Sequence, residues 1–199
     1  MRRLLLLVLL AVVAGCSLGD DAGPLRADAL PGLVLLPSDL PPDYVRFDQG
    51  DQGKADSSPR EIVDPVRFGR LGGWKARYRL PSGSKAAGPA VIDSRADVFE
   101  AEDGAAEDLE QLREGLKTGF GGGVETLRSP ELGDDSVAAT LEQGSGRFAT
   151  RFYFFAWRHA NATAFLTVNG QGSALKAADA RRLAGIQAAR IAAAIEKNS

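Results

Sequence analysis

The sequence predicts an α+β domain in which a mainly antiparallel sheet carries two principal helices, at about residues 101–117 and 174–197. Three observations lead to this fold class. Several segments alternate apolar and polar residues with the period of a strand, two longer segments place apolar residues at helical spacing, and short turn-forming segments join successive strands. The order β-β-α-β-β-β-α favours antiparallel pairing, with helices that cover one face of the sheet.

The folded domain is predicted to begin at about residue 32 and to continue to residue 199. Residues 33–36 form a short apolar run that is closed by Pro37, so this run is an edge strand or a packed segment rather than a long helix. Residues 44–48 alternate and predict a short strand. The polar residues that follow, 49–60, predict a loop.

Residues 74–80 predict the clearest strand of the chain, because apolar and basic side chains alternate without interruption. One face is apolar and consists of Trp74, Ala76, Tyr78 and Leu80. The other face is basic and consists of Lys75, Arg77 and Arg79. A second strand is predicted over residues 90–99, with Ile92, Ala96 and Val98 on its apolar face.

The two helices follow from their apolar stripes. Leu109, Leu112 and Leu116 recur at intervals of three and four residues in the first helix, which a glycine-rich segment ends after residue 118. Ser173 is a suitable N-cap for the second helix. The buried face of that helix is predicted to contain Ala180, Leu183, Ala184, Ile191, Ala194 and Ile195.

Three strands are predicted between the helices, over residues 136–142, 148–157 and 162–168. The middle one is the most aromatic part of the chain. The alternation places Phe148, Phe152 and Phe154 on one side and Tyr153, Phe155 and Trp157 on the other. A strand that is apolar on both faces is expected to be central and covered on both sides.

Composition narrows the classes of function. Of 199 residues, 44% are hydrophobic and 25% are charged, so the chain can bury a core. The net charge is −2, and it becomes −4 if residues 1–15 are removed with Arg2 and Arg3. This balance argues against a nucleic-acid partner. Because Cys16 is the only Cys, there is no internal disulfide or thiolate metal site, and we expect no metal and no cofactor.

The N-terminus has the layout of a secretory signal peptide. Arg2 and Arg3 precede the apolar residues 4–14, a run too short to cross a bilayer permanently. The run ends in Val13-Ala14-Gly15-Cys16, which resembles the lipobox of bacterial lipoproteins. We therefore predict a signal peptide at residues 1–15, a lipidated Cys16 with a flexible tether through residue 31, and a single domain at 32–199.

The lipobox resemblance implies cleavage before Cys16 and a diacylglyceryl thioether on its Sγ. Two or more acyl chains give a stable anchor, whereas one chain binds a membrane only marginally. The resemblance thus implies a palmitate-type anchor on the outer face of the cell membrane. The domain resembles small exported bacterial lipoproteins without an assigned activity and is loosely similar to PsbP/Mog1-like α+β sandwiches, on Leu40-Pro41-Pro42, Trp74, Tyr78, Gly133-Asp134 and the alanine-rich last helix.

Several short motifs match catalytic patterns without their context. Residues 82–85 and 173–176 match S-x-x-K, and residues 117–119 match K-T-G, but the S-D-N of penicillin-recognising enzymes is absent. His159 is the only His and is predicted to lie in a hairpin turn. Eight acids between residues 97 and 114 are interpreted as a solvated helix face, and the N-glycosylation pattern at residues 161–163 as a coincidence. No catalytic residue is predicted.

Two candidate binding surfaces emerge. The first is the basic strand face of Lys75, Arg77 and Arg79, with Arg147 and Arg151 as further members, which would bind anionic lipid headgroups or cell-wall polymers. The second is an apolar cavity lined by Phe152, Phe154 and Trp157, to which Phe155 could also contribute. The competing interpretation of the first is an ordinary polar sheet surface, and that of the second is an ordinary core.

The sequence therefore predicts a membrane-anchored, exported, non-enzymatic binding or interaction module at the cell envelope, with an envelope protein or lipid as its partner. The alternative is a carrier of an apolar or lipid ligand. The third and least favoured hypothesis is an enzyme of unrecognised type, because the motifs that define known catalytic sites are incomplete.

Overall fold

The computed structural model describes residues 24–52, 65–84, 88–118, 123–171 and 174–198. The α+β fold is confirmed. The strands are β1 Val45–Asp51, β2 Arg70–Arg79, β3 Val91–Phe99, β4 Val124–Leu127, β5 Asp135–Gln143, β6 Thr150–His159 and β7 Ala162–Gln171. The helices are α1 Leu30–Leu33, α2 Glu102–Thr118 and α3 Ala177–Lys197.

The strands form one sheet in the order β1-β2-β3-β7-β6-β5-β4, and every neighbouring pair is antiparallel. We call the end of the sheet at the β6–β7 turn the hairpin end; Arg70 and Phe99 pair there. The opposite end is called the far end, and it is where Arg79 pairs with Val45 and with Val91.

The two long helices lie on opposite faces of the sheet, so the expectation that helices cover one face is wrong. On one face, Leu109 of α2 belongs to the same apolar cluster as Phe154 of β6. On the other, Leu183 of α3 belongs to the same cluster as Phe155. The reason lies in β6, whose two apolar faces both require cover. The expectation that this strand is central and covered on both sides is confirmed.

Several element boundaries differ from the predicted ones. β1 continues to Asp51, into the segment predicted to be a loop, and β2 begins at Arg70 rather than at residue 74. Phe148 lies in a 3₁₀ turn before β6 and is 74% exposed, because glycines at 144 and 146 turn the chain there. The short edge strand β4 has no alternating pattern long enough to predict it. Helix α3 begins at Ala177, after Lys176 at the N-cap, rather than at residue 174; Ser173 lies outside the described residues.

The packed chain extends back into the segment that was predicted to be a tether. Leu25 is 1% exposed and Leu30 is 4% exposed, so the domain boundary at residue 32 is placed too late. The Asn161 side chain accepts a hydrogen bond from Leu25 N at 2.8 Å and donates to Leu25 O at 2.9 Å. The turn-rich composition of this segment gave no indication that Leu25 and Leu30 pack on the α3 face. Residues 33–35 form the packed segment that the apolar run predicts.

A buried polar chain joins this N-terminal segment to the sheet and to α3. Leu35 N donates to Ser94 Oγ at 3.0 Å, and Ser94 Oγ donates to Gln187 Oε1 at 2.9 Å. Gln187 in turn donates to the carbonyl of Arg95 at 2.9 Å. Gln187 is fully buried within the apolar face of α3. Its burial costs little because both ends of its amide are hydrogen-bonded.

The Asp39–Arg190 pair gives a prediction about pH. Arg190 donates to both carboxylate oxygens of Asp39 at 2.7 Å, and Leu36 N donates to one of them at 2.7 Å. Burial by itself raises the pKa of Asp39, but these hydrogen bonds outweigh it, so the pKa lies below its ordinary value. Stabilisation from a carboxyl with a depressed pKa is complete above roughly pH 5 and is lost as the pH falls through the folded-state value.

We therefore expect Asp39→Asn to lower the free energy of unfolding by about 1–2 kcal/mol at pH 7 and by progressively less below about pH 4. Urea unfolding at several pH values measures the difference from the unsubstituted protein. The control is Asp28→Asn, because Asp28 is 83% exposed and its distance to Arg26 is 3.9 Å. A loss at Asp39 that stays constant down to pH 2.5 or so would contradict the assignment.

Candidate binding site

The structure places Lys75, Arg77 and Arg79 on one face of β2, the face that α2 covers farther along the sheet. Two of the three cations have carboxylate partners. Lys75 Nζ lies 3.4 Å from Asp48 Oδ2, while Arg77 lies 3.7 Å from Asp48 and 3.5 Å from Asp93. These pairs neutralise much of the face, so it is a mixed-charge surface rather than a purely basic one.

Exposure on this face increases toward the far end. The side chain of Arg70, at the hairpin end, is 7% exposed and is bound to Asp97. Lys75 is 17% exposed and Arg77 is 38% exposed. Arg79, the last residue of β2, is exposed. A partner in solution therefore meets the face at its far end.

A β-bulge brings an aromatic ring under the two exposed guanidinium groups. The β1–β2 register shifts between Arg46 and Asp48, and Phe47 is the extra residue. Its ring centroid is 5.0 Å from Arg77 Cζ and 5.6 Å from Arg79 Cζ. Cation–π contacts at these distances hold the guanidiniums in place. We call Val45, Phe47, Arg77 and Arg79 the arginine corner.

An open hollow of about 260 Å³ adjoins the corner. Its lining consists of Val45, Arg79, Leu80, Pro81 and Ser82. No carboxylate among the described residues lies within 4 Å of Arg79, in contrast to Arg77. The arrangement thus offers one uncommitted, oriented guanidinium beside a small polar hollow. Such a group binds planar carboxylates and phosphates through two parallel hydrogen bonds.

Sequence reasoning predicted the arginines of the corner but missed Val45 and Phe47. Residues 44–48 alternate, which assigns Phe47 to the face opposite Arg46 and Asp48. The bulge breaks this parity and leaves Phe47 and Asp48 both facing the β2 cations. The structure identifies these two residues because both are apolar and yet exposed, Val45 by 48% and Phe47 by 40%, next to charged residues.

The basic face does not include Arg151. This residue shares its face of β6 with Tyr153, on the α3 side, and donates to Glu142 on β5. That hydrogen bond raises the pKa of the Arg151 guanidinium. Arg151 therefore does not extend the basic face, because the alternation of side chains along β6 places it on the opposite side of the sheet from Lys75. The side chain of Arg147 lies outside the described residues.

The aromatic residues that were predicted to line a cavity do not share one face. Phe152 and Phe154 lie on the α2 side with ring centroids 6.1 Å apart, and Phe154 also stacks on Phe165. Trp157 lies on the α3 side and is fully buried. Since the three side chains point to opposite sides of β6, they cannot line one cavity. Their arrangement is that of two separate cores.

The catalytic-type motifs are scattered. Ser82 lies in the turn after β2, and Lys117 lies at the end of α2, 2.5 Å from Glu114. Lys85, Gly119 and Ser173 lie outside the described residues. His159 ends β6 at the hairpin end, so the only imidazole and Ser82 lie at opposite ends of the sheet. Asn161 is 1% exposed and its amide is hydrogen-bonded, which leaves no access for a glycan in the folded domain.

Most acids of α2 lie on its solvated side, as the sequence predicts. Asp108 is the exception: it is 8% exposed and accepts a hydrogen bond from Thr163 Oγ1 at 2.7 Å. Across the residues that the structure describes, His, Cys, Asp and Glu form no group of three arranged to hold a metal ion. Within the same ranges, none of the helices combines the length and apolar character that a membrane span requires.

Comparisons with known proteins identify the fold but no family. No protein-family model matches the chain, and no curated protein matches it in sequence. In structure the chain is similar to the extracellular domain of PknH from Mycobacterium tuberculosis, with a TM-score of 0.63 and 13% sequence identity. The match covers 88% of this chain and 99% of that domain. The PsbP/Mog1-like similarity stays a prediction, and the fold shared with the PknH extracellular domain is what these comparisons establish.

Proposed function

We propose that this chain is an exported, lipid-anchored, non-enzymatic binding module that holds an anionic component of the cell envelope at its arginine corner. The observation that carries the proposal is Arg79. Its guanidinium is exposed at the end of β2, packs over Phe47, and has no carboxylate within 4 Å among the described residues. A cation that is oriented but not neutralised is suited to bind an external anion.

Export is supported by two independent features, and the lipid anchor by the first of them. The N-terminal residues 1–16 have the layout of a lipoprotein signal with Cys16 at the cleavage position. The domain also shares its fold with a domain that is extracellular in PknH. Leu25 is already packed into the domain, and only residues 17–24 lie between it and Cys16.

Binding is favoured over catalysis by the chemistry of the corner. Its exposed groups are two guanidiniums, a phenyl ring and a valine, which hold charge and apolar surface but supply no nucleophile or general base. The Ser82 hydroxyl lies nearby, yet His159 lies at the opposite end of the sheet, roughly 30 Å away by the rise of a ten-residue strand. We do not extend the proposal to an apolar ligand, because Phe152 and Trp157 face different cores.

The anchor is tested by metabolic labelling with radioactive palmitate in a bacterial host. We expect the unsubstituted chain to incorporate label and to fractionate with membranes, because Cys16 is the only thiol that can form the thioether. Cys16→Ser should lose the label completely, whereas the neighbouring control Ser17→Ala should keep it. Equal labelling of Cys16→Ser and the unsubstituted chain would refute the anchor.

The corner is tested by binding of the full-length lipoprotein in detergent to fluorescent polygalacturonate, a polymer of carboxylated sugars. Arg79→Ala should weaken binding two- to fivefold, which is the range for one exposed ion pair. Arg181→Ala removes an exposed cation from α3 and should leave binding unchanged. Neutral dextran should not bind. If Arg79→Ala binds as tightly as the unsubstituted protein, the corner is not the binding site.

A further inference from the structure

We infer that the arginine corner faces away from the membrane and binds a phosphate- or carboxylate-bearing polymer of the cell wall rather than lipid headgroups. This inference rests on the proposed function, because it takes the lipid anchor at Cys16 and the anion site at Arg79 as given. It adds the orientation of the domain and, through it, the source of the anion.

The first step is the place where the chain enters the domain. Leu25 is bound at the hairpin end, because Asn161 lies in the turn between β6 and β7 and holds both polar atoms of the Leu25 backbone. Asn161 also donates to the carbonyl of Phe99, the last residue of β3, at 2.6 Å. Nine residue steps separate Cys16 from Leu25, and even when fully extended they span roughly 30 Å. The anchor therefore keeps the hairpin end close to the bilayer.

The second step is the distance from that end to the arginine corner. Arg79 and Val45 pair at the far end, while Arg70 and Phe99 pair at the hairpin end. The ten residues of β2 span roughly 30 Å at the rise of a strand. An inverted domain, with the corner on the bilayer, would lift Leu25 by that height and stretch the linker to its full length. The reverse orientation leaves the linker free of tension.

The third step excludes a domain that lies on its side with the corner down. Helix α2 stands on the same face as the corner, with a helix thickness of about 10 Å, and would meet the membrane first. Its exposed charged residues are mostly acidic: Glu102, Asp103, Glu107 and Glu110, against Lys117. Anionic headgroups repel such a helix. A domain that rests on its α3 side turns the corner outward.

The fourth step concerns the partner. The hollow of about 260 Å³ is smaller than the roughly 300–1,000 Å³ of sites for drug-sized ligands, so it fits one small charged unit of a longer chain. A protein partner would need about 800 Å² with an apolar centre, and the corner offers only Val45 and Phe47, each half exposed. Oriented guanidiniums select phosphate or carboxylate groups. A polyanion outside the membrane carries such groups and lies on the side toward which the corner faces.

Orientation is measured by energy transfer from a labelled cysteine to acceptors on lipid headgroups. The lipidated full chain is reconstituted into phosphatidylcholine vesicles, where lipid blocks Cys16 and leaves an introduced thiol as the only labelled one. Ala101→Cys marks the hairpin end and Ala90→Cys, next to Val91, marks the far end; both positions are exposed, and neither lines the hollow. We expect strong transfer from position 101 and at least severalfold weaker transfer from position 90. Transfer from position 90 that equals or exceeds that from 101 would overturn the inference.

The source of the anion is tested in the same vesicles after phosphatidylglycerol is added. We expect polygalacturonate to bind as before and the label at position 90 to stay far from the headgroups. If phosphatidylglycerol instead draws position 90 to the membrane and displaces the polymer, the partner is lipid and only this inference fails. If polyglutamate binds more tightly than polygalacturonate, a polypeptide partner replaces the wall polymer. If Arg79→Ala changes neither response, the proposed function itself fails.

Discussion

Phe155→Ala is expected to lower the free energy of unfolding by about 3–5 kcal/mol, the range for removal of a buried phenyl ring. Phe155 is fully buried on β6, which has a neighbour on each side in the sheet. Its ring belongs to the cluster between the sheet and α3. Close packing on every side leaves little room for collapse, so most of the cavity should persist.

Urea unfolding followed by the fluorescence of the two tryptophans, Trp74 and Trp157, measures this loss. The matched control is Phe148→Ala, seven positions earlier in the segment that the sequence predicts to be one aromatic strand. Because Phe148 is 74% exposed, its substitution should change the unfolding free energy by less than about 0.5 kcal/mol. Equal losses at the two positions would contradict the observed start of β6 at Thr150.

Asn161→Ala is expected to cost about 3 kcal/mol, although it removes no large apolar group. The Asn161 amide makes three buried hydrogen bonds, to Leu25 N, Leu25 O and Phe99 O. The alanine variant leaves these backbone groups without their partner, and each buried group that is left unsatisfied costs about 1–3 kcal/mol. The three costs together could exceed this loss, but partial release of Leu25 to solvent would limit the total to about 3 kcal/mol.

The control for Asn161 is Asn198→Ala at the end of α3. Asn198 is exposed and donates to the carbonyl of Ala194 at 3.1 Å, so its removal should cost less than about 0.5 kcal/mol. Amide hydrogen exchange gives a second readout, because only Asn161→Ala should speed exchange at Leu25 N. If Asn161→Ala unfolds at the same urea concentration as the unsubstituted protein, the N-terminal segment does not depend on this side chain.

The sequence could predict whatever depends on local periodicity. The alternation of residues 74–80 correctly separates Tyr78, which is buried, from Lys75, Arg77 and Arg79 on the other face. The same reasoning identifies β6 as a central strand. Periodicity fixes which residues share a face, because successive side chains of a strand point in opposite directions.

Periodicity does not say which helix covers which face, and it fails where one residue is inserted. Both long helices have a single apolar stripe, and nothing in either stripe distinguishes the two sides of the sheet. At the candidate site, the bulge at Phe47 shifts the parity of β1 and brings Asp48 to Arg77. The contact between Leu25 and Asn161 spans 136 residues, a separation at which composition carries no information.

The position of Asn161 has a mechanical consequence. A pull on the N-terminal end of the chain reaches the fold through Leu25, and the three hydrogen bonds of Asn161 pass it to β3 and to the β6–β7 turn. These strands lie inside the sheet, with a hydrogen-bonded neighbour on both sides. The load is thus shared by the interior ladders, and the edge strands β1 and β4 are not peeled away first. A domain tied in this way resists tension where its sheet is strongest.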